Sequence, residues 1–326
     1  MQNVKILLEQ RQTATYFLTV VAAALIALAL PATEKWDQAI NPALALMLFA
    51  TFLQVPLASL KRNLAQIRFL AALLTVNFIV IPLSLAILVP YLPADPMIRL
   101  GILLVLLAPC IDYVVTFSHL GRADAARLLA ATPVLLIVQM LALPFYLGLF
   151  LGREASELIH IAPFFHAFIW LIAVPLLLAW LVQWGARRSP PLARLADGLG
   201  FLPVPATALV LFVVVVSVIP QLKTAWATVL AAIPFYILFA VIAPVAGWLV
   251  GRLFQLESAG GRAVAFSAGT RNSLVVLPLA LAIPGAIPTL PAIIVTQTLV
   301  ELLSELIYIR IIPKLSARTP RTSPRA

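Results

Sequence analysis

A chain of 326 residues that is 63% hydrophobic and only 10% charged, with a mean hydropathy of +1.08, carries more apolar surface than a soluble domain of this length can bury. It reads as an all-α polytopic membrane protein, and its single cysteine excludes an intrachain disulfide framework or a multi-thiolate metal site. The net charge of +10 is spread over short loops and the tail, where it sets orientation in a bilayer rather than forming a nucleic-acid face, and nothing in the composition calls for a cofactor.

In chain order, apolar runs near the ~20 residues that span a bilayer fall at about 14–30, 39–60, 69–90, 97–119, 127–151, 161–184, 200–220, 226–251, 262–284 and 290–311. The first is followed by Pro31-Ala32-Thr33-Glu34, which lacks a small-x-small cleavage site, so it reads as a retained spanning helix. With the N-terminus inside, the outer ends hold only Lys35, Arg99, Arg153 and Lys223, Arg271 lies within a run, and every other Lys or Arg falls on the inner side. This bias places both termini in the cytoplasm and suits a cytoplasmic (inner) membrane.

Two runs are interrupted at mid-length. Met97 to His119 is broken by Ala108-Pro109-Cys110-Ile111-Asp112, and Arg262 to Pro284 by Gly269-Thr270-Arg271-Asn272-Ser273. Backbone at membrane depth leaves the helix only where protein or a water-filled cavity takes up its freed polar groups, and a matched pair of breaks marks the substrate site of secondary transporters. The broken runs are the fourth and ninth, the fourth of each half when the chain divides into residues 1–155 and 156–315. Five segments per half make the second half inverted relative to the first. Gly185 to Gly198 reads as a polar connection along the inner surface, and residues 316–326 as a basic, disordered tail on the lipid surface.

Asp112, Arg271, Glu301 and Glu305 fall inside the runs, where a charge costs on the order of 3 kcal/mol and needs a partner or water. Glu301, Glu305 and Gln297 share one helix face. Two carboxylates so close cannot both ionise easily in a low dielectric, which makes them candidate proton carriers, Glu301 first. Glu305 is equally placed to pair with Arg310. Asp112 and Arg271 suit a structural ion pair at a crossing, or a site in which Arg271 meets an anion and Asp112 releases it on protonation. Cys110, with Asn272 and Ser273 on the other break, is a candidate substrate ligand, because sulfur suits thiophilic species; the alternative is a small buried hydrophobe. His119 reads as interfacial, and His160 and His166 lack partners at metal spacing. One buried aspartate without a Ser/His pair at depth does not suit an intramembrane enzyme.

The two broken runs in a five-plus-five pattern resemble the bile acid:sodium symporter superfamily, and within it arsenite permeases of the arsenical-resistance-3 type. Cys110-Ile111 is similar to the functional cysteine and isoleucine of those permeases, although Pro109 and Asp112 are not typical. Ser267-Ala268-Gly269-Thr270-Arg271-Asn272 is similar to the symporters' E-T-G-x-Q-N stretch, with Ser267 at the glutamate and Arg271 at the glutamine position. The resemblance implies ten helices, with segments one, two, six and seven forming a panel and segments three to five and eight to ten forming a core. It also implies that the family's sodium site is not retained.

The leading expectation is therefore a proton-coupled exporter of arsenite or antimonite, with Cys110 on the metalloid and Asp112, Glu301 or Glu305 carrying the proton. The alternatives are a transporter of a small organic anion held by Arg271 and a non-transporting membrane sensor.

Overall fold

The computed structural model describes residues 2–30, 33–54, 66–111, 113–152, 166, 169–222, 225–281, 283, 285–286 and 289–315. Asp112, the junction expected at 155/156, His160 and the tail 316–326 lie outside the described residues. Within them all regular structure is helical, and extended chain pairs only in one isolated antiparallel bridge, Pro109 with Arg271. The helices are α1 (Gln2–Ala29), α2 (Ile40–Gln54), α3 (Ile67–Tyr91), α4 (Pro96–Leu106), α5 (Tyr113–Leu120), α6 (Ala125–Leu151), α7 (Val174–Ala186), α8 (Pro190–Leu199), α9 (Pro203–Leu222), α10 (Trp226–Leu253), α11 (Ser258–Gly269), α12 (Ser273–Leu281) and α13 (Thr289–Leu315).

Five of these, α3, α6, α9, α10 and α13, are long and apolar enough to cross a membrane. Their outward faces are those of lipid-exposed helices. On α6, Ile137, Leu141, Phe145 and Leu149 recur every fourth residue and are 47–75% exposed, a stripe that water would not tolerate on a monomeric soluble protein. Helix starts are set locally. The Asp95 side chain accepts the N–H groups of Met97 and Ile98 at 2.8 and 3.0 Å ahead of Pro96, and Asp124 caps α6 through Arg127 N at 3.0 Å.

Close helix packing comes from small residues. Gly247 and Gly251 form a G-x-x-x-G stripe on α10. A Cβ at Gly247 would lie 2.7 Å from Ala265 Cα, and one at Gly251 would lie 2.9 Å from Gly261 Cα. With no hydrophobic drive between helices in lipid, such backbone approach supplies the contact. The connection expected as polar loop over 185–198 is instead mostly helix α8. Pro190 and Pro191 preset its first turn, and Leu192, Leu195 and Leu199 fall on one face opposite Arg194 and Asp197. Leu192 seats against Gly185 at the end of α7.

Helices α1, α2, α7 and α9 pack on one another, while α10 packs on α11 and α13, α13 on α4 and α12, and α3 on α11. Between the first group and helices α5 and α6 lies a cavity of about 520 Å³.

Candidate functional site

Both expected interruptions are present. α4 ends at Leu106 and α5 begins at Tyr113; α11 ends at Gly269 and α12 begins at Ser273. The two extended stretches meet side by side. Cys110 N–H donates to Thr270 O at 3.1 Å and Asn272 N–H donates to Ala108 O at 2.7 Å. The amide between them, Arg271 N–H, donates to Glu301 Oε2 at 2.6 Å. An unsatisfied peptide group costs several kcal/mol in hydrocarbon, so this exchange is what allows both chains to leave the helix at depth.

Glu301, on α13, is the centre of the polar cluster. Besides Arg271 N–H, it accepts from Tyr113 Oη at 2.6 Å and from Gln297 Nε2 at 2.5 Å. Its two oxygens thus receive three donors while the residue is 2% exposed. Glu305 sits one turn further along the same face and is fully buried. Its Oε1 lies 2.5 Å from Thr270 Oγ1, and its Oε2 has no hydrogen-bond partner among the described residues. Glu305 therefore meets the second break, and among the described residues no ion pair joins it to Arg310.

Arg271 is fully buried. Nη2 donates to Asn77 Oδ1 at 2.8 Å and to the carbonyls of Ser267 and Ala268, both at 2.7 Å; Nη1 donates to Leu106 O at 3.3 Å. The Phe239 ring lies 5.3 Å from the guanidinium carbon. Asn77 comes from a π-helical stretch in α3, Val76–Val80, a local distortion often found at functional sites. It also donates to Ser267 Oγ at 2.9 Å. Asn272 contacts Gln139 Oε1 on α6 at 3.5 Å, and Ser273 Oγ lies 2.8 Å from Thr298 Oγ1.

The crossing thus gathers Cys110, Arg271, Asn272, Ser273, Glu301 and Glu305 into one buried neighbourhood. The cavity is a separate space that touches this neighbourhood through Tyr113. One wall carries Gln12 and Tyr16 of α1, Thr51 and Gln54 of α2 and Thr207 of α9; the other carries Tyr113, Thr116 and His119 of α5. Neither Cys110, which is fully buried, nor Arg271 is among its lining residues. His119, expected at an interface, opens onto the cavity, while His166 is exposed and lies against Trp170.

Three further residues meet at the crossing that neither the breaks nor the charges at depth single out: Asn77, Gln139 and Tyr113. Asn77 is an amide in an otherwise apolar run, and that isolation was its signal. Gln139, in the middle of α6 and 1% exposed, carried the same signal. Tyr113 carried none, since a tyrosine at a helix start reads equally well as interfacial belt.

No curated protein matches the chain over its sequence. The model of the sodium bile acid symporter family matches residues 41–228, from α2 into α10 and more than half of the chain, which fits the apolar spanning helices. Members of that family are membrane transporters and not enzymes. A multi-pass helical membrane protein with two interrupted helices meeting beside a cavity, this chain belongs to the sodium bile acid symporter family.

Proposed function

We propose that the protein is a proton-coupled secondary transporter of the cytoplasmic membrane that exports a small neutral hydroxylated solute, with arsenite and antimonite as the leading cargo. The observation that carries this reading is the lining of the cavity: amide, hydroxyl, phenol and imidazole groups, and no Lys, Arg, Asp or Glu among the described residues. Arsenite at neutral pH is an undissociated trihydroxide, so it needs hydrogen-bonding partners rather than a counter-ion. An organic anion would need a cation, and the guanidinium of Arg271 is already committed to four oxygens. Cys110 lies in the extended chain just before Tyr113 and meets the cargo as a soft ligand when the crossing opens.

The architecture behind this reading is alternating access. Helices α1, α2, α7 and α9 act as the panel and α3 to α6 with α10 to α13 as the core, with α4/α5 and α11/α12 as the interrupted fourth segments of two inverted five-segment repeats. The cavity lining includes His119, Leu120, Ala125 and Ala126, which flank Arg122 and Arg127 on the side assigned to the cytoplasm by charge.

In this reading the two glutamates take unequal roles, which their hydrogen bonds support. The Thr270 hydroxyl has one proton but contacts both Phe266 O at 2.7 Å and Glu305 Oε1 at 2.5 Å, so one contact requires a proton from Glu305. Glu305 is the neutral partner. Glu301 accepts three donors as a carboxylate anion does, and Tyr113 connects it to the cavity. Glu301 is therefore the carboxylate that changes its protonation during transport.

In everted vesicles, an imposed proton gradient should drive arsenite and antimonite uptake, and Cys110→Ser should abolish it. Unchanged uptake by Cys110→Ser would remove the thiol from the mechanism. Carboxylate uptake that depends on Arg271, with no arsenite uptake, would replace the cargo with an organic anion.

A further inference from the structure

The breaks leave behind three carbonyls whose helical partners have been diverted. In an unbroken helix, Leu106 O would accept from Cys110 N–H, Ser267 O from Arg271 N–H and Ala268 O from Asn272 N–H. Those amides instead donate to Thr270 O, Glu301 Oε2 and Ala108 O. The freed carbonyls are the C-terminal, partially negative ends of two half-helices, α4 and α11. Together with Asn77 Oδ1 they converge from three elements, and all four residues are fully buried. Partially negative oxygens gathered in this way repel one another unless a cation or hydrogen-bond donors lie between them.

Arg271 supplies that cation, but the cage does not match the shape of a guanidinium. Three of the four oxygens crowd onto the single atom Nη2, at 2.7, 2.7 and 2.8 Å. Among the described residues, Nη1 reaches only Leu106 O at 3.3 Å, and Nε has no hydrogen-bond partner. A site shaped for a guanidinium spreads its acceptors over the planar fork; this one focuses them on a point. Its ligands are neutral carbonyl and amide oxygens, which favour a monovalent ion over a divalent ion that seeks carboxylates.

We propose that the crossing contains a monovalent-cation site whose occupant is tethered, the Arg271 side chain standing in for a soluble ion. The protein consequently needs no sodium or potassium to fold or to transport, and removal of the side chain uncovers a cage that binds one. This inference is independent of the cargo.

The test is thermal unfolding of the purified full-length protein in choline, lithium, sodium, potassium and dilute guanidinium chloride at constant ionic strength and pH. Wild type should unfold at the same temperature in all five salts. Arg271→Ala should be less stable in choline and gain roughly 3 °C or more, saturably, with at least one of the small cations. Arg271→Lys keeps a tethered point charge and should be folded and indifferent to the salt. Three results would each overturn the proposal: Arg271→Ala equally stable in every salt, Arg271→Ala unfolded in all of them while Arg271→Lys folds, or a specific cation stabilising wild type or Arg271→Lys.

Discussion

Tyr113 is the residue through which the buried cluster and the cavity communicate, because its ring lines the cavity while its hydroxyl donates to Glu301 Oε1 at 2.6 Å. Tyr113→Phe preserves the ring and removes one of the three donors to a buried carboxylate, a loss of about 1–3 kcal/mol. The expected outcome is a folded protein that binds cargo but is driven poorly by a proton gradient, measured as cargo uptake with and without imposed ΔpH in proteoliposomes. The glutamates separate in the same assay. Glu301→Gln should abolish proton-driven transport while leaving cargo exchange down its own gradient. Glu305→Gln, which replaces a neutral acid by a neutral amide beside Thr270, should retain at least half of it. Reversal of that order would assign the mobile proton to Glu305. All four charged positions at depth were visible as residues that a span does not tolerate without a purpose, yet what each touches was not. Arg271 finds its oxygens 165 to 194 positions away in Leu106 and Asn77 as well as on its own helix, and no local spacing encodes such a meeting.

At the scale of elements, the register of α11 on α10 decides where the second break falls relative to the first. Gly247 is the tightest point: a Cβ there would meet Ala265 Cα, Ala268 Cβ and Val264 O, each at 2.7 Å. These are backbone or short rigid groups that cannot swing aside. Gly247→Val should therefore push the two helices apart and cost at least the ~1–3 kcal/mol typical of overpacking, read as a lower unfolding temperature and as loss of transport. Gly148, whose added Cβ would meet nothing within 4 Å, should accept valine with little change in either measurement. The interruptions themselves were legible, since Pro109 next to Cys110 and the Gly269-to-Ser273 stretch cannot continue an apolar helix comfortably. Helix α8 was also encoded, by leucines at three- and four-residue spacing behind a Pro-Pro start, but the polar character of the surrounding connection outweighed that short pattern. The G-x-x-x-G stripe of α10 was equally present in the sequence.

For the whole molecule, the arrangement of two helix groups around a cavity predicts access from one side at a time. Single cysteines at Thr116 and Thr207 face that space from opposite walls, and the labelling of each is read against the parent chain, whose one cysteine is Cys110. A membrane-impermeant thiol reagent should label both positions from the cytoplasmic face, and a bulky adduct at either should block transport. Labelling of both from the periplasmic face alone would reverse the orientation drawn from the charge bias.

Composition alone determined that the chain lives in a bilayer, because burial of so much apolar surface has no other solution at this length. The distribution of Lys and Arg indicated an orientation, and the paired interruptions located the region of interest, because backbone hydrogen bonding in hydrocarbon is an obligation that a sequence can satisfy visibly or break visibly. Only the tertiary structure decided what fills the broken positions. The partners of diverted amides, the three donors on Glu301 and the oxygens around Arg271 are set by helices packing across long sequence separations. Such convergence depends on helix register and crossing geometry, which hydropathy does not carry.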